Sequence, residues 1–151
     1  MIVVSDTTPL ISLLKINSID LLEKLFGRVL IPETVFNELT ADKRFMSEAE
    51  QIRRRQFITV KSVQNPESAN ILKRATGLDQ GESEAIVLTD ELNADILLMD
   101  EAKGRAVSSQ MGFKVMGTIG ILMAAYEEKE LTAVEVRKCV EDLQNTGRQS
   151  L

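Results

Sequence analysis

The chain has 151 residues, 44% hydrophobic and 27% charged, which suits one globular domain over residues 1–151 with a sizeable core. A net charge of −5 argues against binding nucleic acid through bulk electrostatics, and a single cysteine excludes an internal disulfide. No apolar run approaches the roughly 20 residues of a membrane span and no signal peptide precedes Asp6, so a soluble, cytoplasmic protein is expected.

Short apolar runs alternate with helical segments, the pattern of an α/β fold with a mostly parallel sheet of about five strands. The first strand is Ile2–Ser5, followed by a turn at Thr7-Thr8-Pro9 and an amphipathic segment over Leu10–Phe26. Within that segment Ser18 suits a helix N-cap and Gly27 a C-terminal stop. A second strand, Val29–Ile31, leads into Pro32 and a helix over Glu33–Thr40, whose Glu33 complements the helix dipole. Ser47–Gln56 reads as a polar helix in which Arg53-Arg54-Arg55 forms a solvated face, and Phe57–Val60 as the third strand.

Asn65–Ala75 is helical and stops near Gly77. Asp79 and Glu82 then match a capping box, starting a helix that runs to about Leu92. Ile96–Met99 is continuously apolar, as a central strand covered on both faces requires. A helix over Glu101–Met111 ends at Gly112, Lys114–Met116 makes a fifth strand, and helices over Thr118–Lys129 and Ala133–Gln144 close the chain. Cys139, on the last of these, reads as a small buried hydrophobe, since no histidine exists to activate a thiol.

Two strands run straight into an aspartate, Asp6 and Asp100. In an open parallel sheet ligands bind beyond the carboxyl ends of the strands, so acids there on two strands suggest one site built by distant parts of the chain. Each aspartate also has a simple structural explanation, as a cap or turn residue. Glu38 borders the apolar face of its helix beside Leu39. Glu82 and Glu84 flank the apolar set Ala85, Leu88 and Leu92 from opposite sides, and periodicity does not choose between them. The capping box accounts for Glu82, which favours Glu84 as the site residue and keeps Glu82 as a second metal-binding candidate. Converging carboxylates repel one another unless a cation neutralises them, and an all-oxygen donor set suits Mg²⁺ or Mn²⁺. Such a cation activates water and stabilises displacement at phosphorus, which makes a nucleic-acid phosphodiester the natural substrate.

The segments Val4–Ile11, Val29–Leu39, Leu78–Ile86, Leu97–Arg105 and Gly117–Leu122, in that order, resemble the PIN-domain superfamily and most closely its uncharacterised PIN-like branch. The resemblance implies a three-layer α/β/α domain and a Mg²⁺- or Mn²⁺-dependent ribonuclease acting on single-stranded RNA. Many members are toxins that pair with a small antitoxin protein and form homodimers. By position, Asp6, Glu38, Glu84 and Asp100 match the four acids of the family, and Thr8 matches a small hydroxyl residue beside the first. Glu84 departs from the usual aspartate, and Glu-Ala-Lys-Gly-Arg after Asp100 lacks a further aspartate found in many members. Lys103 and Arg105 there suit contacts to a phosphate backbone.

Two other enzyme classes fit poorly. A haloacid-dehalogenase-type phosphatase needs an aspartate where Thr8 stands, and a response-regulator receiver needs one after its third strand, where the chain reads Lys61-Ser62-Val63. The alternative that remains is a PIN-like scaffold that binds RNA or a partner protein without cutting it.

Overall fold

The computed structural model describes residues 1–150, with side chains through Thr146. The five expected strands form one sheet: β1 (Val3–Ser5), β2 (Val29–Pro32), β3 (Ile58–Lys61), β4 (Ile96–Leu98) and β5 (Val115–Met116). Their order is β3-β2-β1-β4-β5 and every pairing is parallel. From β1 the chain steps outward to β2 and β3, then crosses back to β4 on the other side of β1. The switch point therefore falls between β1 and β4, where Val3, Val4 and Ser5 pair with Ile96, Leu97 and Leu98.

Alternate strand residues enter opposite cores, which is why the strands read as unbroken apolar runs. Val3, Val29, Ile31, Ile96 and Leu98 join one core; Val4, Leu30 and Leu97 join the other. The first core is closed by α1 (Thr7–Lys15), α2 (Leu21–Phe26), α3 (Glu33–Ala41), α4 (Met46–Arg53), α8 (Thr118–Glu127) and α9 (Ala133–Ser150). The second lies under α5 (Pro66–Thr76), α6 (Gln80–Glu91) and α7 (Ala102–Gln110). The architecture is the expected three-layer α/β/α sandwich. Among the described residues no helix is long and apolar enough to cross a membrane.

Local departures from the sequence reading have local causes. Thr7-Thr8-Pro9 is not a turn before a helix but the first turn of α1 itself, a position that tolerates proline. The Leu10–Phe26 segment is broken by Asn17, which takes a left-handed φ of 57°. Asp20, not Ser18, precedes α2; the Ser18 hydroxyl instead donates to the Ile16 carbonyl. Gly27 ends α2 with φ 78°, as expected. A short 3-10 turn, Lys43–Phe45, precedes α4 and was not anticipated. Arg53 and Arg54 pair with Glu50, and Arg55 with Asp20. Cys139 is half-buried against the first core, 3.9 Å from the Ser18 hydroxyl.

Candidate metal centre

A pocket of about 400 Å³ opens beyond the carboxyl end of β1. Its walls include Asp6, Glu38, Asp79, Glu82 and Glu101, with Lys103 as the cation among its lining residues. Three of the acids expected from the sequence thus meet here, Asp6, Glu38 and Glu82, together with the substrate-binding candidates Thr8 and Lys103. Asp79 and Glu101 join them without having been singled out for the site.

Asp6 sits at the N-cap position of α1, yet its side chain makes no capping hydrogen bond. It is only 5% exposed. A buried carboxylate without a capping hydrogen bond is costly to ionise. Burial accordingly pushes Asp6 from 3.8 up to about 7; the Thr7 backbone N–H opposes the shift, and the charges of Asp79, Glu82 and Glu38 add to it.

Glu38 is held from two sides. The Thr7 hydroxyl donates to its Oε2 at 2.8 Å, and its carboxylate lies against the Gly81 backbone, where a Cβ would stand 2.8 Å from Oε1. Burial raises its pKa, the Thr7 bond lowers it, and Asp79 and Glu84 raise it further. The hydroxyl that touches an acid is therefore that of Thr7; exposed Thr8 lines the pocket beside it.

Glu82 completes the capping box read from the sequence: Asp79 Oδ1 accepts from the Glu82 N–H at 2.7 Å, and Glu82 Oε1 accepts from the Asp79 N–H at 3.0 Å. That role does not remove it from the pocket. Glu82 is 8% exposed, and burial raises its pKa ahead of the neighbouring charges of Asp79 and Glu101. Glu84 lies outside the pocket lining. Its Oε2 accepts from the Thr34 hydroxyl at 2.6 Å and from Gln80 Nε2 at 2.8 Å, so it braces α6 against α3.

Asp100 is also outside the lining. Its Oδ1 accepts from the Thr118 backbone N–H and its Oδ2 from the Thr118 hydroxyl, both at 2.6 Å. It caps the start of α8 from the end of β4, and Gly117 keeps the approach open, since a Cβ there would stand 2.9 Å from Asp100 Oδ1. The cap of α7 is Glu101, which accepts from the Gly104 N–H at 2.6 Å. That bond, followed by the Lys103 N–H, holds Glu101 below the usual carboxylate range. Lys103 Nζ lies against Gly77, whereas Arg105 Nη1 lies against Gly117 on the Asp100 side.

The donor chemistry of the pocket fits a hard divalent cation. Every acid offers oxygen alone, and a cation would relieve the burial and repulsion that raise the pKa values of Asp6, Glu38 and Glu82. Among the described residues, no three acidic side chains already converge into a coordination shell.

No curated protein sequence matches the chain. Among solved structures, one match is a PilT N-terminus domain protein from the hyperthermophilic archaeon Sulfolobus solfataricus P2. It has a TM-score of 0.56 and 20% identity over 84% of this chain and 95% of that one, a likeness of fold alone. The PIN-domain family pattern matches residues 2–149, nearly the whole sheet-and-helix framework just described. The chain belongs to the PIN-domain family.

Proposed function

We propose that this protein is a divalent-metal-dependent ribonuclease whose Mg²⁺ or Mn²⁺ is held by Asp6, Glu38 and Glu82. PIN domains are generally nucleases and typically use divalent metals. The observation that carries the reading is Asp6: a buried carboxylate at the sheet switch point that makes no capping hydrogen bond and shares its pocket with buried Glu82 and half-buried Glu38. When bound, the cation supplies a water of lowered pKa and stabilises charge building at phosphorus.

The chain's own residues prepare that chemistry. Thr7 and Gly81 fix Glu38, so its carboxylate needs little reorganisation before use. The capping box fixes Glu82 on the first turn of α6. Lys103, exposed in the pocket wall, attracts the phosphate backbone that the acids repel. Asp100, Arg105 and Glu84 act on the scaffold of the site: Asp100 anchors α8, and Glu84 sets α6 against α3. A single-stranded RNA substrate, a homodimer and a toxin's role beside a small antitoxin protein belong to the same proposal, supported by family membership alone.

The test is incubation of labelled single-stranded RNA with the protein and Mn²⁺, beside EDTA and Asp6→Asn controls. Cleavage that both controls remove is the expected result. Cleavage by Asp6→Asn at the wild-type rate would refute the site. If RNA stays intact and Mn²⁺ leaves the melting temperature unchanged, the non-cutting scaffold is the better reading.

A further inference from the structure

The 3-10 turn Lys43–Phe45 brings an aromatic ring to the edge of the acidic pocket; the ring packs on the first core from one side, and the carboxylate chemistry does not require it there. The half-buried Phe45 ring is a wall of that pocket and also of an adjoining concavity of about 290 Å³. Thr8, Ile11 and Phe45 line both, so the two spaces adjoin across these residues. The second space is further lined by Ser12 and Lys15 of α1 and by Leu143 and Thr146 of α9.

The ring is held ready rather than loosely exposed. The Arg44 guanidinium lies over it, 5.2 Å from the centroid. Arg44 is itself pinned by Asp42, which accepts from its backbone N–H at 2.9 Å and from its Nη2 at 2.7 Å. An arginine and an aromatic ring stacked beside a phosphate-handling site make a platform on which any base can stack, because every base has a π-face.

We infer that the concavity at Phe45 receives an unpaired nucleobase of the RNA strand whose phosphate lies at Asp6, Glu38 and Glu82. The inference rests on the ribonuclease reading for its ligand. Three features select a base over other occupants. The space is smaller than the pockets that enclose larger ligands. Its walls combine the Phe45 ring, Ile11 and Leu143, suited to a flat apolar face, with the hydroxyl residues Thr8, Ser12 and Thr146, and Lys15 adds a positive charge. It also adjoins the acidic pocket across Thr8, Ile11 and Phe45, as a base must lie close to its own phosphate. A base in a duplex cannot leave its stack to enter without being flipped, so the site prefers single strands.

The test reads binding and contact rather than cleavage. Short single-stranded RNA carrying 5-iodouridine is titrated by fluorescence anisotropy, in Ca²⁺ without Mg²⁺ or Mn²⁺, into wild type, Phe45→Leu and Phe45→Trp, and then irradiated for cross-link mapping. Leucine keeps apolar bulk against the core, tryptophan keeps a ring, and melting curves check that both fold. Phe45→Leu is expected to weaken binding about ten-fold, in line with the loss of one base–aromatic stack. Phe45→Trp is expected to bind as wild type, and the cross-link to map to residue 45. An RNA with abasic sites in place of its bases should bind wild type and Phe45→Leu alike. Equal affinity of wild type and Phe45→Leu for the intact RNA, or cross-links confined to other elements, overturns the subsite. If binding ignores Phe45 while Mn²⁺-dependent cleavage persists, only the subsite fails. If binding depends on Phe45 and no cleavage occurs, only the nuclease reading fails. Wild type that does not bind RNA sinks both.

Discussion

The Glu38 carboxylate lies directly against the backbone of Gly81, so close that a Cβ at residue 81 would stand 2.8 Å from Oε1 and 3.2 Å from Oε2. Gly81 occupies the first turn of α6, where its φ is not left-handed and alanine is conformationally acceptable. Glycine therefore costs α6 up to about 1 kcal/mol of helix propensity relative to alanine. What it permits is the seating of Glu38 between α6 and Thr7.

That trade predicts opposite signs for stability and function in Gly81→Ala. The atom in the way is the end of a flexible side chain, so the clash is relieved by moving Glu38 rather than the backbone. The melting temperature should hold or rise by a few degrees while the rise on adding Mn²⁺ shrinks. A variant with both lower stability and an intact Mn²⁺ response would show that Glu38 was not the group displaced.

The raised pKa of Asp6 predicts a particular pH dependence. Folding carries Asp6 from 3.8 to about 7, so the native state holds its proton more tightly than the unfolded chain. Stability from this group is full below about pH 4 and is lost progressively as pH rises to about 7. The shift sets a ceiling of about 4 kcal/mol on the loss. Asp6→Asn removes it, so in EDTA the variant should match wild type near pH 4 and melt higher near pH 8. Subtracting the two curves cancels the carboxylates they share. A difference that stays constant with pH would mean the charge on Asp6 is not what burial penalises.

Asp100 should behave in the opposite way, although both aspartates end a strand. Two hydrogen bonds from Thr118 reach its carboxylate, and α8 packs the first core through Ile121, Leu122 and Ala125. Asp100→Ala removes both acceptors of the Thr118 bonds at the start of α8 and leaves the Thr118 N–H short of a partner, a loss of roughly 1–2 kcal/mol. Its melting temperature should fall at neutral pH, where that of Asp6→Asn rises. Parallel melts decide it; stabilisation by Asp100→Ala would place Asp100 among the repelling acids instead.

The sheet was legible because its central strands β1, β2 and β4 are short, fully buried, mostly apolar runs bounded by turn signals, although edge strand β3 carries Thr59 and an exposed Lys61. The capping box at Asp79 and Glu82 was legible because both partners lie within one helical turn. Other features depend on partners far along the chain. Asp100 is claimed by Thr118 across a whole helix and strand, and no local pattern announces it. The break at Asn17 is invisible to periodicity because apolar residues continue on both sides of it. Phe45 reaches the pocket through a 3-10 turn, which a search for 3.6-residue repeats does not register. Thr7, rather than the neighbouring Thr8, touches Glu38 because α1 begins one residue after Asp6.

Glu82 and Glu84 illustrate the same limit and give the sharpest site test. Both flank the apolar stripe of α6, and only the packing of that helix on β1, β2 and β4 sets which one turns into the pocket. Glu82 lines it; Glu84 is engaged by Thr34 and Gln80. Glutamine can still accept the Asp79 N–H through its amide oxygen, and the residue-82 N–H still donates to Asp79, so Glu82→Gln retains the capping box while deleting the charge. Its Mn²⁺-induced rise in melting temperature and its RNA cleavage should both fall at least about ten-fold in apparent metal affinity or rate. Glu84→Gln should keep the Mn²⁺ response, since its charge lies outside the pocket, and lose at most about 1 kcal/mol of stability from the altered Thr34 and Gln80 bonds. Titration of both variants with Mn²⁺, read by thermal melting, separates them. If Glu84→Gln loses the response and Glu82→Gln keeps it, the third acid of the site is Glu84 and α6 must rotate when the cation binds.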